Sequence, residues 1–304
     1  MLILNKLTIL RDKTYHFQSV IHLNRNLYKK SIQPKPVFFN KVKVTSHSSC
    51  RHKINSFSTI SKMSLKHLGA GSECPPKSDE KKLRLYSMEY CPFVHRVRLV
   101  LRAKNLDFET VNINLINKPE WLFKLHPEGK VPALEIGDKV IVESLDICNY
   151  LDQEYPNPPL YPSDPTQKEK DIALFDVIGK LHGNFIDLVL KKETKTPQEW
   201  KNIFMPNLTK LNDELKQRGT TYFGGETPGM LDYVLWPWAE RAGTVVIVLG
   251  EKLPLESNEL EVIRKWRKTM QEHPVVAGIY HGPEKFYKSV QIKVGELPPD
   301  YDAI

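Results

Sequence analysis

Cysteine is scarce in this sequence, and no hydrophobic run is long. Four cysteines occur in 304 residues: Cys50, Cys74, Cys91 and Cys148. Their wide, irregular spacing excludes a disulfide framework and fits no zinc-finger pattern. That usage suits a reducing compartment, where a free thiol persists. No stretch reaches the roughly 18 consecutive apolar residues of a membrane-spanning helix. There is no internal repeat. Acid is nearly absent from residues 1–62, where Asp12 stands against twelve Lys and Arg. The net charge of +8 is therefore a local property. Residues 63–304 hold 32 Lys and Arg against 35 Asp and Glu. They lack the basic face that would draw in a phosphate backbone, so a nucleic-acid role rests on the +8 charge alone.

Residues 1–62 are basic and contain serine, the composition of a mitochondrial transit peptide. Lys, Asn and His outnumber Arg there, which favours a disordered extension or an in-frame start upstream of Met63. Residues 63–82 are polar, carry Gly and Pro, and read as an arm.

From Leu83 the pattern becomes regular. Leu83–Ser87 alternates as a strand, and an amphipathic helix runs from Pro92 to about Asn105. A second strand covers Phe108–Leu115, and Pro119 starts a short helix. Residues 131–136 and 140–142 form a hairpin across Gly137-Asp138. A helix follows over Ser144–Tyr155, N-capped by Ser144. The order is βαβαββα, an α/β sandwich on a mixed sheet. The proline-dense stretch 155–162 marks a domain boundary. Beyond it only helical periodicity appears, over about 166–192, 197–217, 229–249, 257–272 and 274–287.

Within residues 88–96, Met-Glu-Tyr-Cys-Pro-Phe-Val-His-Arg, Cys91 stands directly before a proline that opens a helix. A sulfur there meets unpaired N–H groups and the positive end of the helix dipole. Both favour the thiolate, the nucleophilic form of cysteine. The alternative is a small buried hydrophobe. Position 94 is Val, so no resolving thiol lies one turn on. A lone nucleophilic thiol needs an external thiol to complete a redox cycle. His95 is expected to face solvent; turned inward as an imidazolium, it would lower the thiol pKa further. Tyr86 and Ser87 keep a hydroxyl-based mechanism in view.

Six separated stretches, in order, resemble the omega class of glutathione transferases. They are Lys-His-Leu-Gly-Ala-Gly-Ser-Glu-Cys-Pro-Pro (66–76), Leu-Tyr-Ser-Met-Glu-Tyr-Cys-Pro-Phe (85–93) and Lys-Pro-Glu-Trp (118–121). Gly-Lys-Val-Pro-Ala-Leu-Glu (129–135), Glu-Ser-Leu-Asp-Ile-Cys-Asn-Tyr-Leu-Asp (143–152) and Asp-Tyr-Val-Leu-Trp-Pro-Trp-Ala-Glu-Arg (232–241) complete the set. The resemblance runs from Met63 to the C-terminus and leaves out 1–62. It implies a thioredoxin-like α/β domain over 83–160 and an all-α helical bundle over 161–304.

The resemblance also implies roles. Cys91 would be the catalytic cysteine, forming a mixed disulfide with glutathione as cosubstrate. No permanently bound cofactor or metal is implied. Val131-Pro132 resembles the segment whose backbone pairs with the cysteinyl unit beside a cis-proline. Glu143 would meet the γ-glutamyl ammonium, and Ser144 its carboxylate at a helix start. Lys118 resembles the lysine near the glycyl carboxylate, and Phe93 would contribute its backbone. Trp236 resembles a wall of the second-substrate pocket, with Trp238 left to the core. Taken alone, these are a strand-starting proline, a helix cap, a solvated charge and core aromatics. Gly229 departs from the family, which places Ser or Thr there as a cap; Gly is weaker by about a few tenths of a kcal/mol.

The implied protein is an enzyme: a glutathione-dependent thioltransferase and dehydroascorbate reductase, with methylated arsenic acids as further substrates and weak conjugating activity. Two alternatives stay open. One is a non-enzymatic relative of the intracellular chloride-channel or scaffold type; the other is a pteridine-pigment synthase of the same family. A homodimer in the cytoplasm is implied, or a mitochondrial protein if 1–62 is a transit peptide. Neither a membrane nor a nucleic acid is an expected partner.

Overall fold

The computed structural model describes residues 66–256 and 258–304, so the expectations for residues 1–62 lie outside it. Strand β1 (Leu83–Ser87) is buried along its whole length and pairs in parallel with β2 (Phe108–Asn112). A parallel pair needs a crossover, and helix α1 (Pro92–Ala103) supplies it. After a short α2 (Leu122–Leu125), β3 (Ala133–Ile136) and β4 (Lys139–Val142) form the expected hairpin. Gly137 takes the left-handed φ of +54° that the turn requires. β3 runs antiparallel to β1, giving a mixed sheet in the order β2-β1-β3-β4. α3 (Ser144–Glu154) closes the unit. β2 is shorter than its sequence pattern, because Ile113 pairs only as a single bridge with Leu68 of the arm.

The remainder is helical: α4 (Pro165–Val189), α5 (Pro197–Arg218), α6 (Met230–Arg241), α7 (Thr244–Leu249) and α8 (Glu261–Glu272). α9 (Pro274–Ala277), α10 (Gly282–Val294) and a 3-10 turn at Tyr301–Ala303 follow. Two expected helices are each broken in two. Residues 229–249 divide at Gly243, where an added Cβ would lie 2.8 Å from the Pro283 ring, so the α10 start occupies that space. Residues 274–287 divide between Ala277 and Gly282, which opens α10 with a left-handed φ of +82°. No helix among the described residues is long and apolar enough to cross a membrane.

The α6 start explains the missing cap. Asp232, three residues in, is fully buried and its carboxylate accepts from four donors. These are the N–H groups of Phe223 (2.9 Å), Gly224 (2.8 Å) and Gly229 (2.8 Å), and Trp266 Nε1 (2.7 Å). A Cβ at Gly229 would come within 2.9 Å of the Leu160 carbonyl oxygen and 3.0 Å of Gly224 Cα. A Ser or Thr cap does not fit this approach.

Helix α1 departs from its amphipathic pattern. It packs between α3 and α6. Val94, Val97, Leu99, Val100 and Leu101 lose all exposure, each worth about 1.5–3 kcal/mol. His95, Arg96 and Arg98 are buried as well, so each needs a partner. The helical half covers the flank that an isolated α/β domain would leave to water.

Candidate active site

Strand direction gathers the predicted residues. β1 and β2 are parallel and both end at one edge of the sheet. β3, antiparallel to β1, begins there, with Ala133 opposite Tyr86. β4 ends there, with Val142 opposite Ala133. Cys91 follows β1, Lys118 follows β2, Val131-Pro132 precedes β3, and Glu143-Ser144 follow β4. Four loops of different sequence origin thus meet at one end.

Cys91 is the N-cap of α1, with φ −74° and ψ 121°, and Pro92 is the first helical residue. Its own N–H donates to the Met88 carbonyl (3.0 Å), and its carbonyl accepts from His95 N (3.0 Å). The sulfur makes no capping hydrogen bond. Burial pushes the Cys91 thiol up. The N–H groups of Val94 and Phe93 pull it down, as do the charges of Arg241 and Lys293, without overcoming the desolvation. The helix start is therefore placed as expected, but the net shift is opposite to the lowered pKa expected of it.

His95 is not solvent-facing; it is 2% exposed. Its Nδ1 lies 3.1 Å from Glu240 Oε2 on α6. Nδ1 also lies 3.4 Å from Arg241 Nη1, so the ring stands between a carboxylate and a guanidinium. Burial lowers the His95 pKa to about 4, against the pull of Glu240. The imidazole is thus neutral at pH 7, not the imidazolium that would activate a thiol. Glu240 Oε1 accepts from the N–H groups of His281 (2.7 Å) and Gly282 (3.1 Å). Burial opposes ionisation of Glu240, yet His95, Arg241 and the His281 N–H together bring its pKa down to about 2.

The other candidates sit on the loops that meet at this end of the sheet. The Val131–Pro132 bond is cis, and the ladder starts at Ala133, which leaves the Val131 main chain outside it. Lys118 lies 5.9 Å over the Phe123 ring, and Gly129 packs against the same ring, where a Cβ would meet it at 2.7 Å. His126 responds to both Glu143 and Lys118, so one side chain lies within electrostatic reach of the two. Ser144 is the first residue of α3, not its cap. Glu143 is the cap, with a left-handed φ of +65°. A non-glycine residue there stores about 1–3 kcal/mol of strain, a feature that clusters at binding sites. Glu143 is exposed and Ser144 buried.

Both tryptophans of α6 are buried, Trp238 at 7% exposure as expected of a core residue. Trp236 is fully buried, its ring 6.3 Å from that of Trp266 on α8, so it belongs to the core. Trp238 lies tilted against His182 of α4 at 4.3 Å and meets Phe93 edge-on at 5.5 Å. Phe93 also meets His182 at 5.2 Å, and Arg96 lies 5.4 Å over both the Phe93 and Trp238 rings. Two residues of helix are about 200° of rotation, so one tryptophan faces α8 and the other the α1 start. Trp238 Nε1 and His182 Nδ1 are buried without a hydrogen-bond partner among the described residues. The sequence reading missed His182; an isolated histidine in a long helix carries no spacing signal.

The hydroxyl alternatives are engaged elsewhere. Tyr86 donates to Glu135 Oε2 (2.6 Å), and burial raises its pKa. Ser87 Oγ accepts from Arg98 Nη2 (2.7 Å) in a buried network with Glu89 and Asn112. The C-terminal tail also reaches the α1 start. Tyr90 OH donates to the Ile304 carbonyl (2.9 Å), and His67 binds Asp302 through Nδ1 (2.5 Å). Tyr301 is buried against the His67 ring at 5.4 Å. Burial raises the Tyr301 pKa to about 12, with Cys91 contributing.

Residues 85–159 match the glutathione S-transferase N-terminal domain family and residues 197–278 the C-terminal domain family. The chain is similar to pyrimidodiazepine synthase of Drosophila melanogaster, 40% identical over 219 residues, covering 71% of this chain and 87% of the relative. It is 33% identical to glutathione S-transferase omega-1 of Rattus norvegicus over 248 residues, covering 80% and 99%. Its fold is that of the Chlamydomonas reinhardtii dehydroascorbate reductase, with a TM-score of 0.58 at 23% identity, covering 71% and 99%. The chain belongs to the glutathione S-transferase family, in its omega class.

Proposed function

We propose that this protein is a glutathione-dependent thioltransferase and dehydroascorbate reductase in which Cys91 is the nucleophile. The observation that carries the reading is the placement of Cys91 as cap of α1, beside the Phe93 and Val94 N–H groups and within reach of Arg241 and Lys293. The Cys91 thiolate attacks the glutathionyl sulfur of a mixed disulfide; that S–S bond breaks and the substrate thiol leaves. A second glutathione, as thiolate, attacks the Cys91–glutathione disulfide, releasing oxidised glutathione and regenerating the Cys91 thiolate. With dehydroascorbate, two glutathione thiols supply the two electrons and two protons that make ascorbate, and leave as one disulfide. Phe93, Val131, Pro132, Glu143, Ser144 and Lys118 hold the first glutathione in this reading. A homodimer in the cytoplasm accompanies it, testable by light scattering and microscopy.

Purified full-length protein and its Cys91→Ala variant are assayed for dehydroascorbate reduction with glutathione. The reading requires reduction that disappears in the variant. Reduction retained by the variant sinks it.

A second reading has its own support. The aromatic cluster of Phe93, His182 and Trp238 suits an aromatic heterocycle, and the relative in Drosophila melanogaster is named for pyrimidodiazepine synthesis. A pteridine offered with glutathione that is turned over faster than dehydroascorbate would favour it.

A further inference from the structure

We infer that Arg241, supplied by the helical half, is a positioning residue for the Cys91 thiolate: it clamps the backbone immediately before the cysteine and places a buried positive charge beside the sulfur. The inference rests on the reading of Cys91 as nucleophile.

Arg241 is 1% exposed. Its Nη2 donates to the Tyr90 carbonyl (3.1 Å), one residue before Cys91. Its Nη1 donates to the Pro237 carbonyl (2.7 Å), which ties the guanidinium to its own helix. The guanidinium carbon lies 4.9 Å over the Phe286 ring of α10. Three elements therefore fix one cation: α6, α10 and the loop that carries the thiol. Glu240 lies 3.6 Å from Nη1 and is itself held by the His281 and Gly282 N–H groups and by His95. Its negative charge partly cancels that of Arg241. A buried arginine stays charged, so its field acts on the sulfur across low-dielectric protein.

The other groups that act on the sulfur are Arg96 of α1, Lys293 of α10 and Tyr301 of the tail. Arg96 is committed to the Val234 carbonyl (3.2 Å) and to the rings of Phe93 and Trp238. Among the described residues, Arg241 alone joins a charge on the sulfur to a hydrogen bond on the adjoining carbonyl.

The test is the pH profile of Cys91 alkylation by iodoacetamide, located by peptide mapping on the full chain. Arg241→Met should cut the rate at neutral pH by about tenfold and move the profile to higher pH. Arg241→Lys, which keeps the charge, should recover part of that loss. Because removing a buried arginine can unfold the protein, Glu240→Gln is the companion variant. It keeps an oxygen for the His281 and Gly282 N–H groups, removes the opposing charge, and turns its amide NH2 toward His95 Nδ1, which as a neutral ring can accept. It should raise the neutral-pH rate by about threefold, a direction that loosened packing with a shifted melting temperature does not mimic. An unchanged or slower profile in Glu240→Gln overturns the inference, as does an unshifted profile in a folded Arg241→Met. The readout is thiol ionisation, so it stands apart from dehydroascorbate turnover, whose absence would sink the functional reading alone.

Discussion

The Trp238 ring lies 4.3 Å from that of His182, tilted by 31°, while Trp236, two residues earlier, is sealed in the core against Trp266. One helix thus turns its two buried tryptophans toward different neighbours, α8 and the α1 start. Trp236→Ala should destabilise folding by about 3–5 kcal/mol in urea titration, with a large-to-small cavity as the cause. Trp238→Phe should leave the unfolding midpoint nearly unchanged and raise KM several-fold for a planar substrate. Equal stability loss in both variants, with KM unmoved, would contradict this division.

Asp232 answers four donors with one buried carboxylate. Asp232→Asn replaces an acceptor oxygen with an amine that faces N–H groups. The expected loss is about 3–5 kcal/mol, measured by chemical unfolding. At Gly229 the usual preference for a Ser cap inverts. Gly229→Ser should lower stability by about 1–3 kcal/mol, because its Cβ is driven against Leu160 O and Gly224 Cα.

Acid should loosen the fold before the carboxylates titrate. Burial lowers both His95 and His182 to about 4, so the folded protein keeps them neutral where the unfolded chain protonates. The unfolded state then binds more protons between about pH 6.5 and 4, and stability falls as pH falls through that interval. His95 alone accounts for roughly 3 kcal/mol at the lower end. Melting temperature followed from pH 8 to 4 should drop across this window. His95→Asn should flatten part of the drop.

The tail should restrain the thiol. Desolvation is the largest influence on Cys91, and Tyr301 with its neighbours contributes to the cover at the α1 start. Removing residues 300–304 should admit water, lower the Cys91 pKa and speed its alkylation several-fold. A slower or unchanged rate would show that the tail is not part of the cover.

Much of this arrangement was legible in the residues. The Cys91-Pro92 helix start, the hairpin across Gly137-Asp138 and the Val131-Pro132 bend all depend on local chemistry, and local chemistry is written in adjacent letters. What failed to show depends on packing between distant elements. The phase of α6 decides which of Trp236 and Trp238 reaches α4, and no spacing rule supplies a phase without a partner. His95 reads as a surface residue until α6 is laid over it. The left-handed Glu143 hides because such backbone is ordinarily reserved for glycine. The net rise of the Cys91 pKa hides for the same reason as His95: burial is a property of the assembled halves.

The central claim is that Cys91 exchanges a disulfide with glutathione. The most direct measurement is intact mass after brief incubation of the full chain with oxidised glutathione, followed by peptide mapping. The account predicts one glutathionyl group on the peptide that carries Cys91, removed by reduced glutathione and absent in Cys91→Ala. A group found only on the exposed Cys74, with Cys91 unmodified while reduction proceeds, would contradict it.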